Sequence, residues 1–216
     1  MLIYEDRAQA GRALGRALSG PRARWSEPLR VLGLPRGGVP VAVEVTRALD
    51  APLDVLVVRK VGAPGNREFA LGAIAQGGVV VRDLAVGGAG GCSPEAFEAQ
   101  LERERVELQR REQSFRDGRP PLDLRGTVAV LVDDGLATGA TMLAAVRAAR
   151  QAGAARVVVA VPVASREAYQ RVSAEADEVI ALEVPRCFMA VGEWYQDFRQ
   201  VEDAEVRRLL RSEPGS

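Results

Sequence analysis

Histidine is missing from all 216 residues. Its absence excludes serine–histidine nucleophile relays, imidazole acid–base catalysis and nearly every transition-metal centre. Any metal partner should therefore be a hard cation held by oxygen. Only two cysteines occur, Cys92 and Cys187, far apart and outside any CxxC pair, so neither a disulfide framework nor a zinc cluster is indicated. No run is apolar enough to span a bilayer, and the first residues lack the basic stretch, apolar run and small-residue cleavage site of a secretory leader. A cytoplasmic location with no membrane partner is expected. Aromatic residues make up 5% of the chain, and 29 basic residues balance 29 acidic ones, so the basic, aromatic-interleaved surface of a nucleic-acid binder is also missing. The anionic partner should be small.

What is present alternates. Residues 6–19 carry Ala10, Ala13, Leu14, Ala17 and Leu18 at helical spacing, with Gly20-Pro21 as a stop. Apolar runs at 29–34, 53–58, 127–132, 157–161 and 179–182 read as five buried strands. Helical segments are expected at 39–49, at 141–151 with Gly153 as cap, and around 165–174. This order predicts one α/β domain over residues 1–216, a mostly parallel five-stranded sheet with flanking helices.

One interval breaks the alternation, residues 61–119, expected to be an inserted lid and long helix. Val79-Val80-Val81 reads as a hairpin strand and residues 87–91 as a flexible glycine stretch. Ser93-Pro94-Glu95 starts a helix. Phe97, Leu101, Leu108 and Phe115 form a narrow apolar stripe on it, to be packed against the sheet domain or a second subunit. Residues 185–216 are expected to form a C-terminal hood or tail.

Ligands of open parallel sheets bind beyond the carboxyl ends of the strands, and the unusual residues of this sequence fall there. Pro35, Arg36, Gly37 and Gly38 follow the first strand, Arg59 and Lys60 the second, and Pro185-Arg186-Cys187-Phe188 the fifth. Asp133 and Asp134 follow the third, ahead of Ala137, Thr138, Gly139, Ala140 and Thr141 at a helix start. A helix N-terminus with small and hydroxyl residues cradles a phosphate. The two carboxylates suit vicinal sugar hydroxyls instead, and a five-carbon sugar with a 5′-phosphate meets both demands. No GxxxxGK[ST] and no GxGxxG opening the first helix is present, which disfavours ATPase, kinase and nicotinamide readings.

The stretch Val130-Leu131-Val132-Asp133-Asp134-Gly135-Leu136-Ala137-Thr138-Gly139-Ala140-Thr141 resembles the phosphoribosyl pyrophosphate signature of type I phosphoribosyltransferases. Gly33-Leu34-Pro35-Arg36-Gly37-Gly38 resembles that family's pyrophosphate loop, where a non-proline cis peptide is frequent. Val57-Val58-Arg59-Lys60 with Gly62-Ala63-Pro64-Gly65 is similar to the entry to the catalytic lid of adenine phosphoribosyltransferases. The C-terminal segment is similar to hypoxanthine-guanine enzymes. The resemblance implies transfer of a phosphoribosyl group from phosphoribosyl pyrophosphate to a nitrogenous base, with magnesium near Asp133 and Asp134, directly or through water. It implies Arg59 and Lys60 on the phosphates, Phe188 and Trp194 on the base, Trp194 and Tyr195 alternatively closing the hood, and a homodimer. The family's base-activating acid is not cleanly matched, because Ala137 stands where hypoxanthine-guanine enzymes carry a carboxylate. Glu68 is the remaining candidate, and a non-catalytic regulator that binds phosphoribosyl pyrophosphate is the alternative.

Overall fold

The computed structural model of the chain describes residues 4–63, 66–82, 93–116 and 119–212. Helix α1 (Arg7–Arg22) is followed by strand β1 (Leu29–Gly33), helix α2 (Gly38–Leu49) and strand β2 (Leu53–Val55). Three strands come next, β3 (Val58–Ala63), β4 (Asn66–Ala75) and β5 (Val79–Arg82), and then helix α3 (Pro94–Arg116). Strand β6 (Val128–Val132), helix α4 (Ala140–Gln151), strand β7 (Arg156–Val163), helix α5 (Arg166–Ser173) and strand β8 (Glu178–Glu183) restore the alternation, and α6 (Asp203–Ser212) follows.

The large sheet has the order β2-β1-β6-β7-β8 with every pairing parallel, so the expected α/β architecture is present. All five residues of β6 are buried. Val128, Val130 and Val132 enter the core shared with α2 and α3, while Ala129 and Leu131 enter the core shared with α4 and α5. Burial on both faces is what a parallel sheet requires, and each large aliphatic side chain adds about 1.5–3 kcal/mol. The winding reverses between β1 and β6. Loops leaving those neighbours diverge to opposite faces and open a crevice beyond their carboxyl ends.

Residues 53–58, expected as one strand, divide between two sheets. Leu56 N donates to Gly33 O at 3.2 Å on the large sheet, whereas Val57 O accepts from Gln76 N at 2.9 Å. Val58 then opens an antiparallel sheet, β3-β4-β5. The region expected as a lid thus holds strand pairs within its described residues, and residues 87–91 lie outside them. Helix α1 runs through the expected stop at Gly20-Pro21 to Arg22, with Pro21 in its last turn and Ala23 N closing on Gly20 O at 3.3 Å.

Of the two partners expected for the α3 stripe, the sheet domain is the one found. The α3 stripe, Phe97, Leu101, Leu108 and Phe115, is at most 5% exposed and lies in the chain's own main core, so it offers no free face to a second subunit. Helix α6, expected in the hood, sends Val206 and Leu210 into that same core. Helix α1 lies against α2 so closely that a Cβ on Gly11 would stand 2.6 Å from Val41 O. That approach sets the first turn of α1 beside the crevice.

Candidate active site

Strand β6 delivers Asp133 and Asp134 to the crevice. Leu34 N donates to Val132 O at 2.9 Å, stitching the exit of β1 to the exit of β6. A Cβ on Gly38 would lie 2.5 Å from Val132 O and 2.9 Å from Asp133 Cα, and one on Gly37 would collide with Asp134 Oδ2. Only glycine fits at either position, so Pro35, Arg36, Gly37, Gly38 and the acid pair form one continuous wall. The Pro35-Arg36 bond is cis, within the loop where the family likeness places such a bond.

The acids are unequally served. Asp134 N donates to Asp133 Oδ1 at 2.9 Å. Asp134 Oδ2 accepts from Arg7 Nε at 2.9 Å, with the two side chains 15% and 10% exposed respectively. Tyr195 Oη donates to Asp134 O at 2.6 Å. Burial lifts the Asp133 carboxyl well above the usual carboxylate range and the Asp134 charge adds to it, while Lys60 opposes. Burial lifts Asp134 as well, against the pull of Arg7. Two carboxylates with one arginine in contact leave a surplus of negative charge, the condition that a cationic ligand relieves. Among the described residues no three ligating side chains converge, so an ion held here would share its shell with substrate or water.

The loop after the acids is pinned to the next strand. Leu136 N donates to Val163 O at 2.9 Å, Ser165 N to Leu136 O at 2.8 Å, and Ser165 Oγ to Ala137 O at 2.7 Å. Gly139 turns the chain with φ of 79° and no side chain caps α4. Ala137 and Thr138 are exposed, Thr141 is half-buried, and Gly139 and Ala140 are buried. A rigid loop that leads into an uncapped helix N-terminus, with accessible hydroxyls, is an anion cradle.

Other expected residues disperse. Alternation along β3 turns Arg59 to Glu104 on α3, at 2.8 Å, and leaves Lys60 exposed; Lys60 is the one whose charge reaches Asp133. Arg36 Nη1 lies 3.6 Å from Asp203 Oδ1 at the start of α6. Glu68 belongs to β4, and its side chain lies outside the described residues. Phe188 is half-buried beside a small cluster of Tyr4, Ala10, Val163, Trp194 and Tyr195. Trp194 is 5% exposed inside that cluster, so its ring surface goes to packing, which favours the hood over base stacking.

Sequence reasoning missed Arg7 and Phe198. Arg7 reaches across the fold to the acids, its Nη1 donates to Arg199 O at 2.9 Å, and its guanidinium stands 4.0 Å from the Phe198 ring centroid. Tyr4 and Tyr195 form a parallel bridge, with Tyr4 N to Trp194 O and Gln196 N to Tyr4 O both 2.8 Å.

A family model described as the phosphoribosyl transferase domain matches residues 3–196. A Mycobacterium tuberculosis (strain H37Rv) protein named "Putative phosphoribosyl transferase Rv0571c" is 47% identical over 211 residues, which is 97% of this chain and 47% of that protein. The chain thus spans about half the length of the curated relatives it matches. The crystal structure of TT1426 from Thermus thermophilus shares 47% identity with a TM-score of 0.79, over 97% of this chain and 98% of that one. A Neisseria gonorrhoeae hypothetical protein with bound ppGpp matches in fold, at 14% identity and TM-score 0.50, over 98% and 96% of the two chains.

Proposed function

The chain belongs to the phosphoribosyl transferase family, and from that premise we propose that it transfers the 5-phosphoribosyl group of phosphoribosyl pyrophosphate to a nitrogenous base, releasing pyrophosphate. The observation that carries this reading is the placement of Asp133 and Asp134, short of positive charge, directly ahead of the uncapped start of α4. The acids receive the ribose hydroxyls, and the main-chain amides at 138–141 with Thr138 and Thr141 receive the 5′-phosphate. The glycine loop with Arg36, and Lys60 from β3, face the pyrophosphate.

An all-oxygen donor pair with surplus negative charge fits hydrated magnesium, held by Asp133 and Asp134 together with substrate oxygens. When bound, the ion supplies positive charge against the departing pyrophosphate. The chain's own residues do the rest. The cradle fixes the sugar, Lys60 adds charge to the leaving group, and the segment bearing Phe188 lies beside the crevice as a platform for the base. Glu68, on β4, is the candidate to take the proton of the acceptor base, and the chain acts as a homodimer in the cytoplasm.

Pyrophosphate release from phosphoribosyl pyrophosphate, measured with magnesium across a panel of purines and pyrimidines, tests the proposal. Release with one base class is expected. Calorimetric binding of phosphoribosyl pyrophosphate without release from any base would make the chain a regulator, and absence of binding would reject the reading altogether.

A further inference from the structure

Gln200 and Asp203 lie beyond the stretch 3–196 that the family model matches, yet both reach the arginine of the glycine loop. Asp203 opens α6. Its place is fixed, because Val206 and Leu210 of that helix enter the main core and Arg207 Nη1 donates to Ser114 Oγ on α3 at 2.9 Å. From this anchored turn Asp203 Oδ1 stands 3.6 Å from Arg36 Nη1, with the two side chains 29% and 26% exposed. Asp203 Oδ1 is buried and accepts no hydrogen bond among the described residues, so it meets Arg36 as a charge only. Gln200 supplies the hydrogen bonds. With its amide oxygen turned to the guanidinium, it accepts from Arg36 Nη2 at 2.9 Å and from Nη1 at 3.2 Å. The guanidinium is thus held along one edge, and the rest of its donor set stays open to an anion.

We propose that Gln200 and Asp203 are positioning residues for the pyrophosphate, which hold the Arg36 side chain in one conformation at the loop and leave it donors for the leaving group. The inference rests on the phosphoribosyl pyrophosphate reading of the site and deepens it, giving the chain after the family domain a part in binding. Its physical basis is conformational entropy. Arg36 is followed by Gly37 and Gly38, which have to be glycine because the acids stand against them, so the loop itself carries no neighbouring side chain to restrain a long arginine. An unrestrained arginine loses its rotamer freedom when the ligand arrives, whereas a restraint from α6 moves that loss to folding. The choice of partners matters as well. A carboxylate hydrogen-bonded to the whole fork would cancel its charge, while an amide in contact and a carboxylate at a distance hold the fork and leave its charge to the pyrophosphate.

Calorimetric affinity for phosphoribosyl pyrophosphate with magnesium, and for ribose 5-phosphate by competition, tests the assignment whether or not a base is turned over. Gln200→Met with Asp203→Asn keeps side-chain size and should weaken phosphoribosyl pyrophosphate about fivefold. Ribose 5-phosphate, which lacks the pyrophosphate, should bind as before. In an Arg36→Met background the same two substitutions should change neither affinity. A loss that persists without Arg36, or one that extends to ribose 5-phosphate, marks a structural role in docking α6 and overturns the proposal. Undiminished affinity for phosphoribosyl pyrophosphate in the folded double variant overturns it too. Should the double variant fail to fold, Gln200→Met alone decides: a smaller loss confined to phosphoribosyl pyrophosphate supports the proposal, and any other result overturns it. Wild-type protein that binds no phosphoribosyl pyrophosphate overturns the functional reading and this inference together, whereas a contrary result confined to the variants overturns this inference alone.

Discussion

Asp54 sits on the edge strand β2, 3% exposed, and meets two arginines, Arg116 at 3.2 Å and Arg119 at 3.6 Å, while its Oδ1 accepts from Val55 N at 2.8 Å. At the centre of the same sheet, Arg7 contacts Asp134, and among the described residues no other cation is paired with either Asp133 or Asp134. The two regions use the same side chains, buried at the edge and half-buried at the centre, and differ in the count of cations. The edge cluster carries its own counter-charges, although Arg116 Nη1 is buried without a hydrogen-bond partner, and Arg119 passes on to Leu210 O at 3.2 Å, so it binds β2, α3 and α6 into one unit. The central cluster is left short of positive charge, and a group from outside must complete it. Charge balance separates a structural tie from a reactive site.

The largest expected effect breaks the central cluster. Asp133→Asn with Asp134→Asn should lower turnover by more than about a thousandfold, upward of ~4 kcal/mol of barrier. Its stability should move the other way. Burial raises both carboxyls, so the folded form binds protons more readily than the unfolded one. The corresponding stability is present below the ordinary carboxylate range, about pH 4, and is lost as pH rises through the raised folded values. Thermal melts at pH 5 and pH 8 should show that decline in the metal-free wild type and a flatter response in the double variant.

Next comes the edge. Asp54→Ala leaves Arg116 and Arg119 facing each other without an anion and should cost about 3 kcal/mol of unfolding free energy, measured by chemical denaturation. The affinity of the folded fraction for phosphoribosyl pyrophosphate should be unchanged. A variant that kept its stability but lost ligand binding would reverse the contrast between the two clusters.

The smallest effect calibrates both. Glu107 on α3 pairs with Arg110 and Arg111, each at 2.8 Å, on the surface. Those hydrogen bonds lower its carboxyl to about 2, so its contribution is present above the ordinary carboxylate range and fades as pH falls towards that value. Glu107→Gln should cost less than about 1 kcal/mol in the same denaturation experiment, well under the Asp54 figure.

These contrasts were only partly legible in the sequence. The acid pair and the helix start behind it are contiguous, so local chemistry sufficed to identify them. The five apolar strands announced themselves for the same reason, and the α3 stripe repeated at helical spacing. Asp54 gave no signal, because its two arginines lie 62 and 65 positions onward and no spacing rule links them. Arg7 was silent for the same reason. The division of residues 53–58 was also invisible, since every side chain there is buried in either sheet and neither glycine nor charge marks the change of partner. Chain pattern reports what neighbours in sequence do together, and the cation and hydroxyl that grip Asp134, from Arg7 and Tyr195, are both remote.

The bridge between Tyr4 and Tyr195 closes nearly the whole described polypeptide into a ring beside the acids. Fraying at the start of α1 and peeling of the segment at 194–199 therefore cannot occur independently, because each removes hydrogen-bond partners from the other. Loosening at either place withdraws Arg7 or Tyr195 from Asp134, so cooperative order at two sequence-distant extremities is written into the geometry of the crevice.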